Sequence, residues 1–184
     1  MSTWSMRRAA RKLADSATAR LSGPVPSRRL CEELCRTMSE LRGGRPVELS
    51  FVEFPPDTAT GLVLVHEDHD RILVDRRTTG VQQVVVTGHE LRHLTQPDHH
   101  RYVDGAAAAA RLLSEADDPE RAWNEVLHAA ARSHSQDPCE RDAENFGLTL
   151  GGRLLPWVAG DAQDSDPGPY DGLLGRIQTS LGPR

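Results

Sequence analysis

The stretch that decides the fold is VVVTGHELRHLTQPDHH, residues 84–100, which contains the pentapeptide HELRH. Its apolar residues recur at helical spacing, and Pro97 is expected to end the helix. Residues four apart lie on one face of a helix, so His89 and His93 can offer two imidazoles to one cation. The motif predicts a metal-binding helix. The alternative is a core helix whose exposed polar face carries histidines by coincidence.

Glu90 lies between these histidines, one position after the first. It points beside a metal bound by the two imidazoles rather than at it, which suits a base that acts on water. Zinc needs a third protein ligand and an open position for water, whose pKa it lowers to about 7. A neighbouring carboxylate can then take the proton while the water attacks a carbonyl. The motif therefore indicates zinc-dependent hydrolysis with Glu90 as the catalytic base.

The third ligand is expected in the segment CERDAENFGLTLGGRLL, residues 139–155. Pro138 suits the first position of a helix, so a long helix is predicted here. Its acidic candidates are Glu140, Asp142 and Glu144. Glu140 and Glu144 share one helix face, so one carboxylate could bind the metal while the other holds a ligand histidine. The residues alone leave this choice open.

The remaining segments predict helices and a small sheet. Helices are expected at residues 5–21 and 27–41, the second with Ser27 as its N-cap. Three apolar runs follow, PVELSFVEF, GLVLVH and RILVDR, and they predict an antiparallel meander with a hairpin near residues 67–70. Two alanine-rich stretches, DGAAAAARLLSEA and PERAWNEVLHAAARS, predict further helices.

These elements predict an α+β fold, mostly helical, in which a small antiparallel sheet packs on the HELRH helix and on the glutamate helix. We expect residues 1–26 to form a basic helix and linker, and residues 27–158 to form the domain with the site. Residues 159–184 are expected to be a flexible acidic linker with a short C-terminal helix.

Charge and composition exclude several classes of function. The net charge is −5 and the isoelectric point is about 5.9, which argues against bulk binding to nucleic acid or to an anionic membrane. The sequence contains no apolar run near the roughly 18 residues of a membrane span. We found no secretory signal, and the cysteine count is three, so we expect a cytoplasmic protein with reduced thiols.

For the other potential metal ligands, the sequence favours structural or solvated positions over metal binding. Cys31 and Cys35 are one helical turn apart and are expected to pack in the core. His66 and His69 flank the predicted hairpin turn and are expected to be solvated. A surface loop is predicted for the residues that follow Pro97, namely Asp98, His99 and His100.

The two motifs together, TGHELRHL and ERDAENFG, resemble the ImmA/IrrE family of zinc metallopeptidases, in which an HExxH helix precedes a helix reading ExEAxxFA. The resemblance covers about residues 30–156 and is closest in kind to small actinobacterial members of regulatory or toxin–antitoxin type. It implies a gluzincin-like fold in which His89, His93 and Glu140 bind zinc and Glu90 is the general base. It also implies an endopeptidase that cleaves a regulatory partner, commonly a helix-turn-helix repressor.

The sequence departs from the family pattern at three single positions, in its LGGRLLP ending and in the long stretch between His93 and Glu140. Arg92 stands where the family usually has Gly, Asp142 where Glu is common, and Gly147 where Ala is common. Arg92 could narrow the cleft or bind a substrate carboxylate. Tyr102 and His134 are candidate donors to the oxyanion, because that role needs a donor beside the metal.

Three other functions stay open from the sequence. The first is a metal-binding regulatory or toxin-type module without proteolysis. The second is a DNA-associated accessory protein that acts through residues 5–21, although direct nucleic-acid binding is disfavoured by the net charge. The third is zinc-dependent hydrolysis of a small molecule.

Overall fold

The computed structural model of the chain describes residues 3–54, 59–95 and 138–159. The elements, in chain order, are α1 (Thr3–Thr18), α2 (Ser27–Leu41), β1 (Val47–Val52), β2 (Gly61–Val65), β3 (Asp70–Asp75), α3 (Gly80–His93) and α4 (Pro138–Leu154). One turn of 3-10 helix, Leu155–Trp157, follows α4. The predicted α+β class with mostly helical content is confirmed. The two alanine-rich segments and the acidic C-terminal segment lie outside the described residues.

The helix boundaries follow local signals in the sequence. α2 begins and ends at the predicted residues, and the two glycines after it have φ of 78° at Gly43 and 90° at Gly44, in the left-handed region that glycine favours. The prediction of Ser27 as the N-cap is wrong, because Pro26 holds that position. The buried Ser27 hydroxyl instead donates a hydrogen bond of 2.8 Å to Gln83 in α3. The Ser27 hydroxyl, which the sequence predicts as the cap of α2, therefore forms a contact with α3 instead.

The sheet is mixed rather than antiparallel, so the predicted meander is wrong. Its strand order is β1-β3-β2, with β1 parallel to β3 and β2 antiparallel to β3. The hairpin between β2 and β3 is where the sequence predicts it. Residues 53–60 separate β1 from β2, a connection longer than a hairpin loop, so these strands need not pair. β3 is buried at five of its six positions, as a central strand with both faces covered requires.

An arginine connects the end of α2 to this hairpin. Arg45 donates to both carboxylate oxygens of Asp70, at 3.1 Å and 2.9 Å, and to the carbonyl of His69 at 3.0 Å. Arg42 donates to the same Asp70 carboxylate. The Asp70 side chain is fully buried, so the two guanidinium groups compensate a charge that water does not reach.

The two faces of the sheet pack against different parts of the protein. Val63, Ile72 and Val74 face the main core, which is shared with all four described helices. Leu73 points to the other face and packs with Phe54 in a small second cluster. This alternation places α3 and α4 on one side of the sheet, where the histidines lie.

The N-terminal helix belongs to the main core. Its buried residues include Met6, Ala10 and Leu13, which pack in the same cluster as residues of α2, α3 and α4. The chain after α1 and the chain after α4 also meet, because Val25 forms an isolated parallel bridge with Val158. Among the described residues, none of the helices combines the length and the apolar character that crossing a membrane requires.

Candidate metal centre

Glycine residues allow α3 and α4 to pack with their backbones close together. The helices run antiparallel, since Val85 lies beside Gly151 whereas His93 lies beside Glu140. A Cβ atom on Gly147 would lie 2.5 Å from the carbonyl oxygen of Val85 and 3.1 Å from the backbone nitrogen of His89. Only glycine fits such an approach, so Gly147 brings the backbone of α4 within reach of the histidine-bearing turn of α3.

This close approach brings three potential metal ligands together. The Nε2 atoms of His89 and His93 are 3.0 Å apart. Each lies 3.3 Å from one carboxylate oxygen of Glu140. One ligand atom from each residue lies within 4.8 Å of the others, so the group could hold a metal ion. Two imidazole nitrogens and one carboxylate oxygen are donors that zinc accepts.

The group is closed toward the core and open on one side. The His93 side chain is 1% exposed and that of Glu140 is 12% exposed, whereas His89 is 25% exposed. Burial lowers the pKa of His89, but the hydrogen bond to Glu140 outweighs it, together with the charges of Glu90, Glu140 and Glu144, so the net pKa is raised. Protonated His89 is therefore stabilised chiefly by Glu140, the carboxylate that would also bind a cation at this site.

Glu90 is buried beside the ligand group but is not one of its members. It is 6% exposed, and its Oε1 atom would lie 2.7 Å from a Cβ placed on Gly61, the first residue of β2. The same Cβ would lie 2.5 Å from Cγ1 of Val86. Gly61 thus leaves room for the Glu90 carboxylate between the sheet and α3.

The structure separates the acidic candidates that the sequence left open. Glu140 lies with the two histidines, whereas Glu144, one turn further along α4, is exposed and is not a member of the ligand group. Asp142 points away from the histidines to a different partner. Both of its contacts with Arg92 reach the same carboxylate oxygen, Oδ2, at 2.7 Å from Nε and 2.5 Å from Nη2.

Neither of the two roles expected for Arg92 agrees with its position. Its side chain is only 4% exposed, so it does not project into an open cleft or present its charge to a substrate. The guanidinium also donates to Thr95 Oγ1 at 3.0 Å, and it lies over the Phe146 ring at 5.6 Å from the centroid. The two unusual residues, Arg92 and Asp142, are therefore partners across the α3–α4 interface.

No family model, curated protein or solved structure matches this chain. The ImmA/IrrE resemblance stays a prediction, and the chemistry of the site has to be argued from its own geometry.

The other potential ligands have different surroundings. Cys31 and Cys35 are buried in the core as predicted, and burial raises the pKa of the Cys31 thiol to about 12. The prediction that His66 and His69 are solvated holds only in part. Both are half-buried, and their rings stack with centroids 4.4 Å apart. The further predicted positions lie outside the described residues, namely Asp98, His99, His100, Tyr102 and His134.

Sequence reasoning missed two glycines that shape the site. Gly61 opens a strand that otherwise consists of apolar residues, and a glycine in a strand often marks a close approach of another group. Gly147 was noted only as a departure from the family pattern. Its position seven residues after Glu140, in the middle of a helix, was the available signal for close helix packing.

Proposed function

We propose that this chain is a zinc-dependent endopeptidase of gluzincin-like fold that hydrolyses a peptide bond in a regulatory partner protein, with a helix-turn-helix repressor as the expected partner. The observation that carries the proposal is the convergence of His89, His93 and Glu140, contributed by two helices. The HELRH spacing alone could have arisen by coincidence. A carboxylate from α4 between both imidazoles makes that alternative a poor explanation.

The residues present fit a divalent zinc ion. His89, His93 and Glu140 would hold it, since two neutral imidazoles and one carboxylate match the ligand set of catalytic zinc. When bound, zinc supplies Lewis acidity and makes water acidic enough to lose a proton near neutral pH. The exposed side of His89 provides the approach for water and substrate.

Glu90 is the residue that would move the proton. Its carboxylate lies beside the ligand group, on the α3 turn between the two histidines. It would accept a proton from the attacking water and then donate it to the amine that leaves when the peptide bond breaks. Its buried position against Gly61 holds it next to the reacting atoms and limits competing contact with water.

The sheet favours a peptide over a small molecule as substrate. Within the described residues, β2 pairs only with β3, so it presents one unpaired edge. β2 begins at Gly61, in contact with Glu90. An extended peptide that adds to this edge would pass the site with its backbone aligned by hydrogen bonds. Such alignment supports cleavage at a defined bond in an extended segment of a partner protein.

The proposal is tested by metal analysis and by isosteric variants. We expect one zinc ion for each purified chain, and Glu90→Gln should keep that zinc but lose cleavage of a candidate helix-turn-helix repressor that the wild-type chain cleaves. Glu140→Gln should lose the zinc. Glu144→Gln is the matched control, one helical turn away and exposed, and should keep both zinc and cleavage. Unchanged metal content in a His89→Ala, His93→Ala double variant would refute the site.

A second candidate function is supported by the surface of α1. Arg7, Arg8, Arg11 and Lys12 are all exposed on this helix, although the chain as a whole is acidic. A cluster of cations on one helix can bind DNA phosphates, and such binding weakens steeply with salt. Salt-dependent binding of duplex DNA that is lost in an Arg7→Gln, Arg11→Gln variant would favour a DNA-associated accessory protein. Absence of such binding would leave the peptidase proposal alone.

A further inference from the structure

The contact between Arg92 and Asp142 lies next to the ligand group without being part of it. Arg92 immediately precedes His93 in α3, and Asp142 follows Glu140 by two residues in α4. Burying a guanidinium costs free energy unless its donors are satisfied. Asp142, Thr95 and the Phe146 ring together satisfy it. The arrangement is therefore specific, and it joins the two elements that carry the ligands.

Two acidic residues of α4, Glu140 and Asp142, hold that helix from opposite flanks. Residues two apart in an α-helix are separated by about 200° around its axis. Glu140 meets the histidines on one flank of the face that α4 presents to α3, and Asp142 meets Arg92 on the other. Ala143 and Gly147 are buried between them. Rotation of α4 in either direction would break one of the two contacts.

The glycine contact cannot by itself determine where Glu140 lies. Gly147 is seven residues along α4 from Glu140, which is about 10 Å along the helix axis. The close glycine contacts of α4, at Gly147 and Gly151, both lie beyond its first turn. They leave that turn free to tilt, and first turns fray most readily. The Arg92–Asp142 contact supplies a second attachment point, within one turn of Glu140.

We infer that the Arg92–Asp142 ion pair is a positioning contact that sets the Glu140 carboxylate against His89 and His93. The inference rests on the proposed metal site. It assigns one purpose to two residues that depart from the family pattern, and it makes Asp142 a residue that acts through Glu140 without touching the metal. Loss of an outer contact of this kind typically weakens metal affinity by about 10- to 100-fold.

The experiment measures zinc affinity by competition with a chromogenic chelator, and the visible absorption spectrum of the Co²⁺-loaded protein, on the full chain. Asp142→Asn should bind zinc about 10- to 100-fold more weakly and show altered Co²⁺ bands. Asp142→Glu, which can still pair with Arg92, should recover part of the affinity. The matched control is Glu33→Gln in α2, which removes the charge of a side chain that is 3% exposed and paired with Arg20 and Arg29. It should lower thermal stability but leave both metal readouts unchanged.

A second variant distinguishes a loss of positioning from a loss of folding. Arg92→Ala combined with Asp142→Ala removes both charges, so it leaves no unpaired buried ion, and it should fold yet bind zinc as weakly as Asp142→Asn. The inference is overturned if either Asp142→Asn or the double variant binds zinc with wild-type affinity and gives the wild-type Co²⁺ spectrum. Should the wild-type chain itself bind neither metal, the proposed function falls and this inference with it. Wild-type binding that is equal in the variants overturns the inference alone.

Discussion

Replacing Gly147 by alanine tests the close contact between α3 and α4 that assembles the ligand group. The new Cβ would lie 2.5 Å from the backbone carbonyl oxygen of Val85, and ordinary contact begins at 3.4 Å. Backbone of α3 cannot rotate away as a side chain could, so α4 has to move outward by about 0.9 Å. Metal ligand distances are tolerated only within about 0.2 Å. The shift should therefore weaken zinc binding by at least about tenfold.

The effect on stability is expected to be smaller than the effect on the metal. Alanine is a better helix former than glycine by about 1 kcal/mol, whereas overpacking costs about 1–3 kcal/mol. The free energy of unfolding should fall by about 0–2 kcal/mol when both effects are combined. Chemical denaturation gives this value, and competition with a chelator gives the zinc affinity.

Gly152→Ala is the matched control on the same helix. A Cβ at Gly152 has no atom within 4 Å among the described residues. This variant should gain up to about 1 kcal/mol from helix propensity and bind zinc as the wild type does. If Gly147→Ala is stabilised to the same extent and retains full zinc affinity, the close helix contact does not position the ligands and the reasoning is wrong.

Three further predictions concern other parts of the structure. Asp70→Asn should lower the free energy of unfolding by about 1–3 kcal/mol at pH 7, because it leaves Arg42 and Arg45 without their carboxylate. The control Glu53→Gln, at the exposed pair with Arg76, should change the free energy of unfolding by less than about 1 kcal/mol. Burial raises the pKa of Asp70, but the hydrogen bonds from Arg45 and Arg42 outweigh it and the net pKa is lowered. The stability that Asp70 contributes is therefore present above the pKa of the unfolded carboxyl and is lost as pH falls through the folded value, so denaturation curves of wild type and Asp70→Asn should converge in acid. Cys31, with its pKa raised to about 12 by burial, should resist alkylation at pH 8 in the native state and react only on unfolding; rapid native labelling of this thiol would contradict its burial. Gly61→Ala should displace Glu90 and reduce cleavage by up to about 100-fold while zinc content stays unchanged. The control Gly23→Ala, which has open space around it, should change neither cleavage nor zinc content. Loss of zinc in Gly61→Ala would show that β2 supports the metal ligands rather than the base.

Local signals in the sequence were sufficient for the four described helices and for half of the site. The approximate range of α2 and its C-terminal end were predicted correctly, because its apolar stripe ends at a pair of glycines. The spacing of His89 and His93 placed both imidazoles on one face, since that relation depends only on helix geometry. The hairpin between β2 and β3 likewise depends on a short turn between neighbouring strands.

Contacts between distant segments decided the rest. Pairing of β1 with β3 instead of β2 depends on which strand the core covers on both faces, a property that no strand carries in its own sequence. Ser27 could satisfy its hydroxyl locally or across to Gln83, and only the packing of α2 on α3 selects the second. Where two local arrangements are equally favourable, contacts with residues distant in the sequence decide which one forms.

The same division runs through the candidate metal centre. From the sequence, the HELRH helix and a set of acidic candidates on a second helix were determined, because helical periodicity is local. The family resemblance singled out Glu140, and the structure gives that choice a physical reason. Gly147 brings the two helices close together, and Asp142 forms an ion pair with Arg92 on the other side of the helix interface. Arg92 itself could be understood only in three dimensions, because its partner lies 50 residues away in the chain.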